Sequence, residues 1–297
     1  MRASERGFLL LSSHLGDPQR KCLTVAQFRQ LALRVRDAEP ERELRELEAR
    51  DLLRLGYDLE QARCIVELLR HEALLEHYLR RCERAGCGVL SRVSAGYPQA
   101  LRSRLGLDGP GSLWFKGDLS ILDGPMVALV GSRDILPENA EFARMAGRQA
   151  AAQGFTLVSG NARGADQIAQ NAALEAGGKV ISVLADSLTS HTATDGMLLL
   201  SEDGFDMPFS AGRALSRNRV IHALPHLTLV AQCSLRTGGT WDGTVQNLKH
   251  GWSKVAGFHD TSESMLLLEQ MGAELICAQQ LSDLSHLAEP EPNLFAY

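Results

Sequence analysis

The hydrophobic period changes near residue 90. Before it, apolar residues recur at three- and four-residue spacing, as on one face of a helix. Thr24 and Gln27 have capping-box spacing ahead of Phe28, Leu31 and Val35, and Pro40 closes that segment. A Leu-, Arg- and Glu-rich stretch over 41–55 ends at Gly56. Asp58 and Gln61 open another helix, with Ile65, Leu68 and Leu69 followed by Leu75, Tyr78 and Leu79 up to Gly86. The pattern predicts a small all-α domain over 1–90, whose 16 Lys/Arg and 15 Asp/Glu nearly cancel.

Residues 91–125 read as a transition segment. Tyr97-Pro98, Gly106, Gly109-Pro110-Gly111 and Gly124-Pro125 supply dense turn chemistry around one short strand at 113–115, whose Trp114 is expected to be a core anchor.

From 126 on, short apolar runs alternate with helical stretches, which predicts an α/β domain over 126–280: a parallel sheet with helices on both faces. Met126–Val130 is a five-residue apolar strand ending at Gly131-Ser132-Arg133. Pro137 opens a helix that Gly154 stops, and a second strand at 155–158 runs into Ser159-Gly160-Asn161-Ala162-Arg163-Gly164-Ala165-Asp166. Further strands are expected at 180–184, 197–200, 227–231 and 255–256, with helices over 164–176, 211–224 and 244–250. Residues 281–297 form a Pro-rich acidic tail.

In such sheets ligands bind where strands end. Gly131 and Gly160 allow close backbone approach, the following helix amides donate to an anion, and Arg133 and Arg163 add charge-assisted bonds. Ser132, Ser159 and Gly164 belong to the same two turns; Asp166 is expected to cap the next helix and orient Arg163. Arg217-Asn218-Arg219 and the loop Thr237-Gly238-Gly239-Thr240 repeat this logic downstream, and Lys249 follows. Between 213 and 254 six basic residues face one acidic residue, Asp242, although the whole chain carries −5. Trp241 and Trp252 bracket this segment as base-stacking candidates.

Composition narrows the class further. With 44% hydrophobic and 23% charged residues the chain is globular, and no apolar run reaches the ~20 residues of a membrane helix. With no export signal at its start, it is expected in the cytoplasm. Six scattered cysteines show no paired metal-ligand spacing, and neither metal nor cofactor is expected.

The order Tyr97-Pro98, Gly131-Ser132-Arg133, Ser159-Gly160-x-Ala162-Arg163-Gly164-x-Asp166, Ser201-Glu202, Arg217-Asn218-Arg219, Thr237-Gly238-Gly239 and Met271-Gly272-Ala273 resembles the DprA/Smf family. The resemblance covers roughly 86–276. It implies a Rossmann-like domain that binds single-stranded DNA without catalytic turnover, a homodimer, and delivery of the strand to a RecA-like recombinase in natural transformation. It also carries the DNA-contacting role to Arg133, Arg163, Arg217, Asn218, Arg219 and the 237–240 loop.

The chain departs from that pattern at Gln170, where the family has His, and at Gln232, where Glu is usual. The segment between 184 and 197 is short, and no winged-helix domain is expected after 276. Leu294-Phe295 resembles the short peptides that dock on the sliding clamp. The alternative is a nucleotide-binding sensor or a LOG-type nucleotide phosphoribohydrolase. Hydrolysis needs a placed carboxylate, and Gln246 and Asn247 stand where that chemistry wants one.

Overall fold

Apolar strands bounded by glycine build the centre of the chain. The computed structural model describes residues 1–17, 19–38 and 47–289, and these form two compact units. One contains the described parts of 1–117 with 186–192 and 200–210; the other contains 118–185, 193–199 and the described residues after 210.

The first unit opens with five helices among the described residues, α1 (Ala3–Ser12), α2 (Val25–Ala38), α3 (Ala49–Arg54), α4 (Leu59–Arg70) and α5 (Glu72–Arg84). Their caps follow the sequence. Thr24 Oγ1 accepts from the Gln27 amide while Gln27 Oε1 accepts from the Thr24 amide, and Asp58 accepts from the Gln61 amide at 2.8 Å. Leu9, Leu31, Leu52, Leu68 and Leu75 form the apolar interior. After the helices come β1 (Cys87–Ser91), α6 (Gln99–Leu105) and β2 (Ser112–Gly117). The strands β1 and β2 pair antiparallel, and the Phe115 ring lies over Gly88, where a Cβ would come within 2.3 Å of it. Trp114 is fully buried against Tyr78 and Phe205. Pro40 and residues 41–46 of the 41–55 stretch lie outside the described residues.

The second unit alternates strand and helix: β3 (Met126–Val130), α7 (Pro137–Ala152), β4 (Thr156–Ser159), α8 (Ala165–Glu175), β5 (Lys179–Val183), β6 (Met197–Ser201), α9 (Ala211–Ser216), α10 (Asn218–Ala223), β7 (Leu227–Val230), α11 (Gly238–His250), β8 (Lys254–Phe258), α12 (Glu263–Gln270), β9 (Glu274–Ile276) and α13 (Leu284–Ala288). The last two residues of β6 belong to the first unit.

The strands run in the order β6-β5-β4-β3-β7-β8-β9. From β5 to β9 every neighbouring pair is parallel. The chain winds outward from β3 to β5, returns to the other side of β3 at β7, and winds outward again. This is the doubly wound Rossmann order, with its switch point between β3 and β7. Right-handed crossovers in opposite directions place helices on opposite faces. On one face Phe142, Ala146 and Ala150 of α7 and Ala169 and Ala173 of α8 pack on Val127, Leu129, Leu157 and Val180. Gly147 permits the α7–α8 approach, since a Cβ there would lie 2.2 Å from the Ala169 carbonyl oxygen. On the other, Val220, Ile221, Trp241, Met265 and Leu268 are buried.

The expected architecture is therefore present: a mostly parallel α/β sheet after a set of helices. Four details differ. The stretch 211–224 divides into α9 and α10, α11 begins at Gly238 rather than near 244, β1 pairs with the expected 113–115 strand, and α12, β9 and α13 follow the last expected strand. No described helix is long and apolar enough to cross a membrane. Leu294-Phe295 and the rest of 290–297 lie outside the described residues.

Candidate nucleic-acid interface

Four segments meet at the carboxyl end of β3, β4 and β7, and four contacts close them into a ring. Arg163 Nη2, after β4, donates to Asp134 Oδ1, after β3, at 2.6 Å. Arg217, preceding α10, donates from Nη2 to the Gly160 carbonyl at 3.1 Å. Asn218 Nδ2 donates to the Gly239 carbonyl in the first turn of α11 at 3.0 Å. Thr240 Oγ1 closes the ring by donating to the Gly131 carbonyl at the end of β3, at 2.9 Å.

The glycines in this ring have physical reasons. Gly164 sits at φ +89°, and a Cβ would lie 2.4 Å from the Ser132 carbonyl oxygen. A side chain at Gly131 would meet the Ala165 Cβ at 2.4 Å, so this glycine admits the start of α8 against the sheet. Gly160 lies under the Arg217 guanidinium, with Nη1 1.8 Å from where a Cβ would stand. Gly243 lets α11 approach α10, a Cβ there falling 3.0 Å from His222 Nε2. Gly238, at φ +87°, meets nothing and leaves the first turn of α11 open.

Asp166 organises the second loop from inside. Its Oδ2 accepts from the Gly160 amide at 3.0 Å and the Ala162 amide at 3.3 Å. Burial pushes its carboxyl pKa up, opposed by the Arg217 charge, the Ala162 and Gly160 amides and the Arg133 charge. Its bonds thus go to the loop backbone, while Asp134 is the carboxylate that holds Arg163. His222, buried behind the same elements, has its pKa pushed down to about 3 by burial, with a smaller contribution from Arg217, and is neutral at pH 7.

Ser159 differs from the expectation. It is fully buried, and its Oγ accepts from Gln170 Nε2 at 2.9 Å, while Gln170 Oε1 accepts from Ser182 Oγ at 3.1 Å. The hydroxyl ties β4, α8 and β5 together and is turned away from the loop. This also gives Gln170 a role: it bridges two serines that lie opposite each other in the β4–β5 ladder.

Ser132 Oγ donates to the Asp134 carbonyl and accepts from the Asp134 amide, fixing the first turn. Gln232 extends that hold, its Oε1 accepting from the Leu136 amide at 2.8 Å. Arg133 and Arg163 are exposed, and Arg217 and Arg219 are half-buried. Thr237 is the exposed N-cap of α11 and its side chain makes no capping bond to the opening amides of the helix.

Lys249 is not among them. It lies in the last turn of α11, roughly 16 Å along the helix from Gly238 at 1.5 Å per residue. Lys254, another of the six basic residues, pairs with Glu274 at the start of β8. Trp241 is buried, and Trp252 stacks on His250 beyond the far end of α11. The basic segment thus divides between the two ends of the sheet. Asp134 has no place in the sequence reading and Gln232 enters it only as a departure from the family pattern; the signal for both is their position just after β3 and β7.

Comparison with known proteins agrees with this architecture. The family model for DNA recombination-mediator protein A matches residues 88–252. Protein Smf of Escherichia coli K12 is 32% identical over 198 residues, covering 63% of this chain and 52% of that protein. DNA processing protein DprA of Streptococcus pneumoniae R6 is 31% identical over 142 residues, 44% of this chain and 50% of that one. The chain spans about half the length of these curated relatives. The X-ray structure of DprA from Streptococcus pneumoniae superposes with a TM-score of 0.73 at 25% identity, covering 96% of this chain and 98% of that one. DNA processing protein A from Helicobacter pylori, whose structure is described for its single-stranded-DNA binding mode, gives 0.58 at 25% identity over 67% of this chain and 95% of that one. With the motif order, the doubly wound sheet and a family match over more than half its residues, this chain belongs to the DNA recombination-mediator protein A family, that of the DprA and Smf proteins.

Proposed function

We propose that this protein binds single-stranded DNA at the carboxyl end of β3, β4 and β7, without chemical turnover. The observation that carries the reading is the closed ring of contacts that brings Arg163, Arg217 and the first turn of α11 to one site, with Arg133 in the first loop and Arg219 next to Asn218 in sequence. Guanidinium groups and helix amides are donors suited to phosphate. The site offers no recognition helix shaped for a duplex groove, so phosphate contacts dominate and sequence preference is low. The relative from Helicobacter pylori, described for binding single-stranded DNA, supports the ligand class. Following the family resemblance, the protein acts in the cytoplasm as a homodimer and passes the strand to a RecA-like recombinase. The sliding clamp is a further partner, through Leu294-Phe295.

The engagement of two carboxylates of the site supports the reading without turnover. Asp166 is buried and accepts from loop amides, and Asp134 is paired with Arg163. Fluorescence anisotropy with labelled oligo-dT across a salt series tests the reading. The expected result is tight binding at low salt, with log K falling linearly in log salt by about 0.7 per phosphate contact. Binding of mononucleotides with none of oligo-dT, or release of free base from a nucleoside monophosphate, would overturn it in favour of the nucleotide-sensor or LOG-type alternative.

A further inference from the structure

We infer that Asp134 sets the affinity of the site by competing with the DNA phosphate for Arg163; this rests on the single-stranded-DNA reading above. The pair is direct, 2.6 Å between Arg163 Nη2 and Asp134 Oδ1, and it stands in solvent, the two side chains being 73% and 88% exposed. A carboxylate there presents to the guanidinium the same planar anionic oxygens that a phosphate would.

The two partners are unequally fixed. Asp134 is anchored through its backbone: its amide donates to Ser132 Oγ at 3.2 Å, and its carbonyl accepts from Ser132 Oγ at 3.0 Å and from Gln232 Nε2 at 3.4 Å. The turn is held in its own place by the Ala165 amide, which donates to the Ser132 carbonyl at 3.1 Å. Arg163 reaches Asp134 only through a long, exposed side chain. An incoming phosphate therefore meets a carboxylate that stays and an arginine that must turn away from it or share its donors. Both routes weaken binding by an amount set by an exposed ion pair. The other aspartate of the site cannot act in this way, because the Asp166 carboxylate is enclosed and committed to the Gly160 and Ala162 amides. Asp134 is thus an electrostatic brake, keeping a phosphate-driven site reversible.

Asp134→Asn is the informative change. It removes the charge and keeps the backbone groups that shape the turn, and the 88% exposed side chain leaves the fold intact. Binding of oligo-dT and oligo-dC is measured for wild type, Asp134→Asn, Arg163→Ala and the double variant. The expected result is about three- to fivefold tighter binding of both oligonucleotides by Asp134→Asn, the upper part of the range that an exposed ion pair supplies. In the Arg163→Ala background the same change gives no gain, because the competitor has lost its target.

An equal gain in both backgrounds would overturn the inference, since Asp134 would then act as diffuse surface charge. Loss of oligo-dC binding with oligo-dT unchanged would also overturn it, showing a carboxylate that accepts from the cytosine amino group. If Arg163→Ala weakens binding while Asp134→Asn changes nothing, the inference fails and the DNA site stands. If wild type does not bind oligo-dT at all, both fail.

Discussion

Two arginine–aspartate neighbourhoods lie side by side at this site and differ in burial. Around Asp166 the carboxylate is enclosed, bonded to loop amides and faced by Arg217, whose guanidinium lies over Gly160. Around Asp134 the carboxylate and Arg163 both stand in solvent. Similar chemistry therefore does different work. The enclosed group shapes backbone, because an unmet buried charge costs several kcal/mol; the exposed pair contributes little to folding and is left to tune a ligand.

The comparison can be pressed from the fold downward. Gly164→Ala places a Cβ 2.4 Å from the Ser132 carbonyl oxygen at φ +89°, where neither backbone can give way easily. Chemical denaturation should show a loss of roughly 4 kcal/mol, from left-handed strain and overpacking together. A loss under 1 kcal/mol would mean that the two loops are not held together as described.

The enclosed half also carries a pH dependence. His222 has a folded pKa of about 3 against an ordinary 6.5, so the unfolded chain binds a proton between these values and the folded chain does not. Stability conferred by neutral His222 is complete above pH 6.5 and falls as pH drops toward 3, by about 3 kcal/mol at pH 4 on the 1.36 kcal/mol per pKa unit relation. Asp166, with its raised pKa, works in the opposite direction. Comparing the pH slopes of wild type and His222→Asn isolates the histidine; identical slopes would show that it titrates normally.

Gly160→Ala is a milder test. The atom it displaces is the far end of the flexible Arg217 side chain, so the fold should stay within about 1 kcal/mol of wild type while oligo-dT affinity falls on the order of tenfold. The smallest effect is expected for Lys249→Ala at the other end of α11, within about twofold in affinity. A loss there as large as that of Arg163→Ala would bring the amino end of the sheet into the site.

Much of this was legible in the sequence, and the failures have causes. β3, α7 and β4 follow from a five-residue apolar run, a proline at the helix start and the glycine stop at 154. The first turn of α11 read as loop because Gly238 and Gly239 are poor helix formers. The bonds of Asn218 and Thr240 hold that turn in place, and they join residues far apart in sequence. Ser159 read as a ligand group because it ends a strand before a glycine. Only the β4–β5 register, which sets it opposite Ser182 with Gln170 between, shows that it faces inward. The net basic charge over 213–254 overstated the site, because sequence distance does not separate the two ends of a helix such as α11.

The central claim, that DNA phosphates are held by the arginines at the carboxyl end of β3, β4 and β7, is tested most directly by salt-series binding of oligo-dT to wild type and to the combined Arg217→Ala, Arg219→Ala variant. The account predicts weaker binding and a log K against log salt slope shallower by about 1.4, two lost contacts at about 0.7 each. Parallel lines of equal affinity from a folded variant would contradict it.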